Sequence, residues 1–468
     1  MANLLTLPPE VLGVISSNFC TCQTCNTAGE TRAYQQTRRT LYALSATCRA
    51  LQTLIQPLLY HRVYPFYGQI EFARTLVENT GLAASVRELY YPFGAYEDRQ
   101  QRPLYGSLNK HAYNISGLDD DLISKLFNRL MSEQPGGLYD SEDQETRRAP
   151  SQEPPGLNEL AHGLTILENS LLISILKMLP NLHVLYLWYE PEELTKAPQV
   201  LIPNLLPKLR QFGIVGQDAI WGGTPTMGTT LTAATPSLQS LHCVFVDNLI
   251  VSAHDSLLEL VLTDCFLPQY EHFELISSGF PNLRKLTYSE RHLAWACNRE
   301  LTLRGICEAL EPMGDRLQEF NVRLLGLEER QAHRLGAEQT ESPHDSYSKG
   351  LSQMTGLIRL RLDKTSITDL GGGNWDTGTP DTSKIFPRNL QHLELSCADM
   401  PVWTSTWLVR WAPSCREQCP NLGRVTLHRL HQQHGYFQQP HDAELATLLQ
   451  SAGVACTTVH DDDQDEKL

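Results

Sequence analysis

The sequence predicts an α/β protein in which a short all-α module precedes a long solenoid of parallel strands. Three observations support this prediction. A pattern Leu-x-x-(Leu/Phe/Val)-x-(apolar) recurs nine times between residues 182 and 427. Amphipathic segments that predict short helices lie between copies, as at 171–178 and 306–313. Two further stretches, within the first 59 residues, carry apolar side chains at helical spacing.

Each copy of the pattern predicts one short strand whose alternating apolar residues point inward. One strand cannot bury that side alone, so the copies are expected to stack, with parallel strands on a concave face and helices and loops outside. Their starts lie 19 to 40 residues apart, so they are irregular members of the leucine-rich-repeat class, whose period is roughly 20–29 residues. The copies are Leu182-Leu185-Leu187, Leu209-Phe212-Ile214, Leu238-Leu241-Cys243, Leu257-Leu260-Leu262, Leu283-Leu286-Tyr288, Leu317-Phe320-Val322, Leu357-Leu360-Leu362, Leu390-Leu393-Leu395 and Leu422-Val425-Leu427. An earlier copy is predicted at Val86-Leu89-Tyr91.

The residue between the last two apolar positions of each copy is predicted to face the concave side. Along the copies these residues are Tyr186, Gly213, His242, Val261, Thr287, Asn321, Arg361, Glu394 and Thr426. They form no sustained basic, acidic or aromatic stripe, which disfavours nucleic acid and simple repeating polymers as ligands. The sequence therefore predicts one specific but unidentified target protein. The residues predicted to bind it are Tyr186, His242, Thr287, Asn321, Arg361, Glu394 and Thr426.

Two N-terminal stretches predict helices. In the first, Thr6 or Leu7 serves as the cap, and Pro8 and Pro9 occupy the first turn, where a missing N–H costs nothing. Glu10 follows, at a position that is favourable for the helix dipole. The second stretch runs from about Arg39 to Leu59, with Pro57 predicted to break it near its end. Its apolar face comprises Leu41, Leu44, Cys48, Leu51, Ile55 and Leu58.

These roughly 60 residues resemble the F-box family. The resemblance lies in Leu7-Pro8-x-Glu10-Val11-Leu12-x-x-Ile15, in Leu44-Ser45-x-Thr47-Cys48-Arg49-x-Leu51-x-x-Leu54 and in Pro57-Leu58-Leu59-Tyr60. The order of an F-box before leucine-rich repeats is similar to one branch of that family, notably its fungal members. An insertion at about 19–38, which lengthens the loop that usually separates the two elements, departs from the family pattern.

The resemblance implies the substrate-recognition subunit of a cullin–RING (SCF-type) ubiquitin ligase. The module would bind a Skp-type adaptor, and through it a cullin, while the repeats hold the protein to be ubiquitinated. The residues that would contact the adaptor are Leu7, Pro8, Glu10, Val11, Leu12, Ile15, Leu44, Cys48, Arg49, Leu51 and Leu54. The alternative is a repeat scaffold without ligase attachment, in which these helices only cap the solenoid.

The predicted organisation has five parts. An F-box-like helical module spans 1–66, linking helices and the first repeat-like strand span 67–130, and a disordered polar insertion spans 131–156. The leucine-rich-repeat domain spans 157–435, and a C-terminal helix and strand with an acidic tail span 436–468. Within the repeats, 216–235, 337–350 and 371–383 are predicted to be smaller polar loops.

The composition limits the class of partner. A formal net charge of -15, from 38 Lys+Arg and 53 Asp+Glu, repels nucleic acid and anionic lipid. The chain has no stretch of the roughly 20 apolar residues that a membrane span requires, and its start lacks the positive region of a signal peptide. Several of the 12 cysteines, including Cys243, Cys265 and Cys397, lie singly in apolar repeats, as free thiols do. These features predict a reducing compartment, the cytoplasm or the nucleus.

Other motifs suggest chemistry only in part. Cys20-x-Cys22-x-x-Cys25 is half of a zinc site, with Cys48 or His61 as a possible fourth ligand; the alternative is a reduced cysteine-bearing loop. His428-x-x-His431-x-x-His434 lacks a zincin arrangement, and Gly371-Gly372-Gly373 lacks the Gly-Lys-(Ser/Thr) of a phosphate loop. No nucleophile has a patterned base, so we expect no catalysis, metal or cofactor; an enzyme built on a repeat frame is the third and least favoured alternative. The tryptophans that are candidate anchors for a partner are Trp221, Trp375, Trp403, Trp407 and Trp411. The alternative for each is that it fills the core of an irregular loop.

Overall fold

The fold is taken from a computed structural model of the chain. The residues that the structure describes are 32–65, 69–92, 171–189, 203–216, 226–227, 229–246, 250–251, 253–267, 269–290, 301–324, 349–363, 366, 386–396, 408–429 and 442–460. The first F-box-like stretch and the predicted polar insertion at 131–156 lie outside these residues.

Fourteen strands lie within the described residues. They are β1 Arg62–Val63, β2 Glu88–Pro92, β3 Val184–Tyr189, β4 Gln211–Gly216, β5 Thr226–Met227, β6 Ser240–Val244, β7 Ile250–Val251, β8 Glu259–Cys265, β9 Lys285–Glu290, β10 Glu319–Arg323, β11 Arg359–Asp363, β12 His392–Ser396, β13 Arg424–Arg429 and β14 Ala455–His460.

Short helices alternate with these strands. The α-helices are Arg32–Ser45, Arg49–Leu59, Gln69–Glu78, Thr80–Ala83, Thr229–Ala234, Glu271–Gly279, Leu303–Ala309, Lys349–Gln353, Cys415–Gln418 and Asp442–Ser451. Residues 171–177 and 408–411 are also helical. Single 3-10 turns occur at Glu311–Met313 and Ala412–Ser414. Among the described helices, none is long and apolar enough to cross a membrane.

Twelve of the described strands form one sheet, and all of its pairs are parallel. Each of the nine predicted copies supplies one strand, as does the earlier copy at Val86-Leu89-Tyr91. The strands lie side by side in chain order, so each unit pairs with the units just before and after it. Such an order is typical of solenoids. The prediction of an α/β chain with stacked parallel strands is therefore confirmed.

A repeated hydrogen-bond pattern sets the register of the sheet. The carbonyl of the residue just before a strand accepts two successive N–H groups from the start of the next unit. His183, for example, accepts from Arg210 and Gln211, and Gln318 accepts from Ile358 and Arg359. The same pair of bonds recurs from His61 to Gln391. Because each pair links only adjacent units, the register is set locally at every step.

Asparagine side chains add a second link between units. Asn181 donates to the carbonyl of Ala84 at 2.8 Å, and Asn282 and Asn389 donate to those of Asp255 and Thr355, each at 2.7 Å. Each asparagine directly precedes the first leucine of a copy. The asparagine before the first leucine of these copies therefore has a physical reason, because its amide ties one turn to the preceding turn.

The apolar residues of the copies form the main core together with the helices. Leu185, Phe212, Leu260 and Leu393 have at most 1% of their surface exposed, and helix residues such as Ile276 belong to the same cluster. The opposite side of the sheet, which we call the open face, carries a separate cluster to which none of the described helices contributes. The open face is therefore the side on which a partner can meet the strands.

The structure corrects two helix predictions. The predicted stretch from about Arg39 to Leu59 is two helices, because Cys48 adopts an extended conformation between them; the first begins at Arg32, within the predicted insertion at 19–38, and the second continues two residues beyond Pro57. The predicted helix 306–313 begins three residues earlier, where Thr302 accepts a capping bond from the N–H of Gly305. It also ends before the 3-10 turn that contains Pro312.

The prediction of a loop at 216–235 is also wrong in part. Residues 229–234, within the predicted loop 216–235, form a helix whose Leu231 and Ala234 are buried in the main core. Thr235 follows and donates its hydroxyl to the Leu231 carbonyl at 2.7 Å. Only two apolar anchors hold this turn, so the sequence signal was weak. Residue 350, at the end of another predicted loop, belongs to the helix Lys349–Gln353.

Candidate functional site on the open face

The nine residues predicted to face the concave side lie in one row across the sheet, which we call the middle row. Pairing of the backbones makes each residue a neighbour of the next. The row is Tyr186, Gly213, His242, Val261, Thr287, Asn321, Arg361, Glu394 and Thr426. Tyr90 and Thr457 extend it at its two ends. The residues predicted to bind a target are thus brought together, whereas their role in binding stays a prediction.

The ring of Tyr186 lies over Gly213, its neighbour in the middle row. A Cβ atom at Gly213 would come within 2.0 Å of Cδ1 of Tyr186, well inside van der Waals contact. The glycine therefore leaves room for the ring to lean across β4 towards β6. There the Tyr186 hydroxyl lies 2.8 Å from Nδ1 of His242. The contact between Tyr186 and His242 consequently depends on the glycine between them.

A chain of hydrogen bonds extends from this contact. Gln211 Nε2 donates to the Tyr186 hydroxyl at 2.6 Å, and Ser240 Oγ donates to Glu259 Oε2 at 2.7 Å. Ser240 Oγ also lies 2.8 Å from His242 Nε2. Because the serine proton goes to Glu259, a neutral His242 satisfies every bond only with its proton on Nε2. The chain then runs in one direction, from Gln211 through Tyr186, His242 and Ser240 to Glu259.

The electrostatics of this chain favour a charged acid at one end and a neutral phenol in the middle. The nearby His242, whose Nε2 lies 3.8 Å from the carboxylate, is the main reason that the pKa of Glu259 falls to about 2, and the bond from Ser240 adds to it against the effect of burial. Burial raises the pKa of Tyr186 to about 12, against the lowering effect of its bond with Gln211. Tyr186 therefore serves as a hydrogen-bonding phenol, with no tendency to ionise.

Stacked aromatic rings occupy the first strands of the open face. The ring centres of Tyr64 and Tyr90 lie 4.4 Å apart, and those of Tyr90 and Tyr186 lie 5.1 Å apart with rings parallel to within 1°. Trp188 lies at the side of this tyrosine stack, 6.2 Å from Tyr64. Each of the three tyrosines has 4–5% of its surface exposed. The stack therefore fills this end of the face with its own side chains.

A buried cation completes that end. The side chain of Arg62 is only 1% exposed and lies 3.4 Å from the Glu88 carboxylate. It also donates to the Tyr90 hydroxyl at 2.7 Å, while its guanidinium carbon lies 4.6 Å from the centre of the same ring. Burial raises the pKa of Glu88, and the charge of Arg62 opposes that effect. Both charges are thus engaged within the fold.

A second polar group, the Glu394 cluster, lies on β11 to β13. The carboxylate of Glu394 is 5% exposed and accepts from Nε of Arg359 at 2.7 Å. His428 Nε2 lies 3.3 Å from its other oxygen, and His392 Nδ1 lies 3.5 Å from Oε1. Burial alone would raise the pKa of Glu394, but the bonds from His428 and Arg359 outweigh it and lower the value to about 2. The cluster therefore holds an ionised carboxylate below the surface.

One histidine of the Glu394 cluster, His392, is linked by hydrogen bonds to the last strand of the sheet. His392 Nε2 lies 2.9 Å from the hydroxyl of Thr426, which lies 3.2 Å from that of Thr457. Burial lowers the pKa of His392, although the charge of Glu394 opposes this. Hydroxyl groups thus continue the polar surface from the cluster to β14.

Residues predicted to contact an adaptor are described only in the second half of the N-terminal module. Leu51 is 6% exposed and forms a small core with Leu41 and Ile55, separate from the main core. The half-buried Leu44, Cys48 and Leu54 pack against that core, and Arg49 is exposed. The predicted contacts of the first helix, Leu7, Pro8, Glu10, Val11, Leu12 and Ile15, lie outside the described residues.

The candidate anchor Trp411 is a core residue. It is 1% exposed, its ring centre lies 5.2 Å from that of Phe386, and its Nε1 donates to Gln418 at 3.1 Å. Of the two interpretations of Trp411, the structure therefore supports core filling, because its apolar surface is already used within the chain. Trp221, Trp375, Trp403 and Trp407 lie outside the described residues.

The cysteine prediction is confirmed where the structure describes it. Cys243 and Cys265 are free and at most 1% exposed. Burial raises the pKa of Cys243, so this thiol stays protonated. Within the described part of the chain, no group of three His, Cys, Asp or Glu side chains could hold a metal ion. The partial motifs Cys20-x-Cys22-x-x-Cys25 and Gly371-Gly372-Gly373 lie outside it, as do Cys397, His431 and His434.

Sequence reasoning missed the residues that flank the middle row. Gln211, Ser240, Glu259, Arg359 and His392 each lie two positions before a middle-row residue. Side chains at a spacing of two share one face of a strand, so the same pattern that located the middle row also located this second one. The polar and charged residues of this second row were a usable signal. They were missed because only one position in each copy was considered.

The sequence matches no family model and no curated protein. The F-box resemblance therefore depends on the quoted N-terminal residues alone.

Proposed function

We propose that this chain is a non-catalytic leucine-rich-repeat protein that binds a target protein on its open face. The observation that carries the proposal is the uninterrupted parallel sheet, with one side packed on helices and a middle row of diverse polar side chains on the other. Twelve strands at roughly 4.8 Å spacing extend over about 50 Å. A surface of that width suits a protein better than a small molecule, which prefers an enclosed pocket.

We further propose that the N-terminal module attaches the chain to a Skp-type adaptor, and through it to a cullin–RING ubiquitin ligase. Two described features support this. The helices Arg32–Ser45 and Arg49–Leu59 have their own small core, as a docking module requires. Tyr42 is 69% exposed, and Arg49 is exposed as well, so both side chains are available to a partner.

The role in such a complex is to bring the target close to the transferring enzyme. Holding two reactants together replaces a slow encounter with a local one, so no catalytic group is needed in this chain. The compartment that we propose for the chain is the cytoplasm or the nucleus. The buried, protonated thiol of Cys243 suits such a reducing compartment.

A scaffold without ligase attachment is the second candidate, and one observation favours it. The helix Arg49–Leu59 leads directly into β1, and Tyr60 packs against the main core. A helical pair next to the first strand of the sheet is placed to serve as the cap that a solenoid requires. The two functions differ in one measurable property, which is adaptor binding.

The test is co-purification of the adaptor and cullin with the full chain. We expect both to be recovered with the wild-type protein, and we expect Arg49→Glu combined with Tyr42→Ser to reduce recovery at least fivefold. Arg74→Glu is the matched control, because Arg74 is an exposed arginine on the neighbouring helix Gln69–Glu78.

The scaffold alternative gives a different result. If the wild-type chain recovers no adaptor while a known F-box protein does so under the same conditions, ligase attachment is wrong. Removal of the chain from cells should also raise the level of at least one bound protein if it is a ligase receptor, and a scaffold has no such effect.

A further inference from the structure

Two arginines on the open face have no acidic partner. Arg361 on β11 and Arg424 on β13 make no ion pair or side-chain hydrogen bond within the part of the chain that the structure describes. Arg424 is exposed and Arg361 is half-buried. Both lie on a protein whose formal net charge is -15. An unneutralised cationic patch on so acidic a chain requires an explanation.

The acids near these arginines are already engaged. Glu319 pairs with Lys285 at 3.0 Å, and Glu394 is held by Arg359. Asp363 accepts from the N–H groups of Leu324 and Ser366. The positive charge of the two arginines is therefore left for an external anion.

The spacing of the two arginines favours an anion that carries two separated negative charges. Arg361 lies beside Glu394, which lies beside Thr426, and Arg424 is two residues before Thr426. Their backbones are thus two strands and two residues apart, about 12 Å on the diagonal of the sheet. One phosphate or one carboxylate can contact both only if the two side chains bend inward over β12, next to the negative charge of Glu394. In an extended peptide, by contrast, side chains at positions i and i+4 share a face and lie about 13 Å apart.

We propose that the open face over β11 to β13 binds an extended, carboxylate-rich segment of the target protein, with acidic side chains paired to Arg361 and Arg424. The Glu394 cluster lies between them, and its own carboxylate is buried and already paired with Arg359. Nucleic acid is a poor occupant, since the net charge of the chain repels a continuous polyanion. A short acidic segment meets only the local positive patch. This inference deepens the proposed function by naming the chemistry of the target segment.

The other half of the open face supports this location. There, Arg62 is paired with Glu88, and Glu259 is bound by Ser240. The tyrosine stack fills the surface with its own rings. Charge that is available to a partner is therefore concentrated on the C-terminal strands of the face.

The experiment measures binding of a fluorescent peptide of alternating Glu and Ser to the full chain at low salt. We expect Arg361→Gln and Arg424→Gln each to weaken binding about threefold, and the double variant to weaken it about tenfold. Arg284→Gln is the matched control, because Arg284 is exposed and lies just before β9, outside these strands. It should bind as the wild type does. A peptide with Gln in place of Glu should bind at least tenfold more weakly.

Three results would overturn the proposal. One is equal binding of the Glu and Gln peptides, and another is unchanged affinity in the double variant. The third is that the peptide does not bind to the wild type. This result overturns the proposal even if deletion of residues 461–468 restores peptide binding, because the open face would then be assigned to the acidic stretch of this chain itself. Adaptor recovery is measured with the same variants. Peptide loss with retained adaptor removes only this inference, and adaptor loss with retained peptide binding removes only the ligase attachment.

Discussion

The ring of Tyr186 occupies the space that any side chain at Gly213 would need. A Cβ atom at that glycine would lie 2.0 Å from the ring, and the displaced tyrosine would lose its contact with His242. Two residues on adjacent strands thus depend on each other although 27 positions separate them in the chain. This dependence leads to the first prediction.

Gly213→Ala should destabilise the protein by about 1–3 kcal/mol, the usual cost of overpacking. The intrinsic preference of strands for alanine over glycine acts in the opposite direction and offsets part of the cost. Urea denaturation measures the change. Gly81→Ala is the control, since no atom lies within 4 Å of its added Cβ. Equal stability of the Gly213 variant and the wild type would mean that the ring does not occupy this position.

Tyr186→Phe tests the hydrogen-bond chain without altering the stack. The ring stays, but Gln211 loses its acceptor and His242 Nδ1 loses its donor. We expect a loss of about 1–2 kcal/mol in the free energy of unfolding, because partly buried polar groups are left unpaired. Tyr42→Phe, at an exposed position, should have no measurable effect. If the two variants are equally stable, the hydroxyl of Tyr186 contributes nothing.

Glu394→Gln should make the stability less dependent on acid pH. The pKa of Glu394 in the folded chain is about 2, below the ordinary value of about 4.3. Its stabilisation is therefore fully present above pH ~4.3 and is lost as the pH falls towards 2. The wild type should exceed the variant by roughly 2–3 kcal/mol at pH 7, and this margin should shrink at pH 3.

The groups facing Glu394 are Arg359, His392 and His428, and the variant retains all three. Denaturant unfolding at several pH values measures the margin. Glu319→Gln serves as the control, because its pair with Lys285 is largely exposed and stabilises little. A margin that is constant from pH 7 to pH 3 would contradict the role assigned to the Glu394 carboxylate.

Asn282→Ala and Asn389→Ala should each cost about 1 kcal/mol, because each removes a bond between two units. The two sites are far apart in the solenoid, so the losses should add in the double variant. Asn321→Ala, which removes a middle-row amide that has no hydrogen bond among the described residues, should change stability less. Strong non-additivity would show that distant units are coupled.

The strands were predictable because their signal is repeated and physical. Leu260, Leu360 and Leu393 are buried as the pattern required. The helix Thr229–Ala234 was missed because only Leu231 and Ala234 anchor it, and so short a turn shows no helical period. Its existence depends on the core that the neighbouring strands provide.

The sequence predicted which residues lie side by side in the candidate site, but not which side chains touch each other. The pattern fixed Tyr186, Gly213 and His242 as row neighbours, since register follows from the buried leucines. That the tyrosine ring crosses the glycine to reach the histidine depends on a side-chain rotamer, which no spacing encodes. Likewise, the pairing of Glu394 with Arg359 required knowledge of the flanking row.

The pair of backbone bonds between successive units has a consequence for how such a chain can change. The bonds are the same whether 19 residues separate two strand starts, from Ser240 to Glu259, or 40, from Glu319 to Arg359. Growth of a connecting segment therefore leaves the strand alignment untouched. A lineage can lengthen, shorten or replace these connections freely, and so diversify the rim of the molecule while inheriting the same sheet.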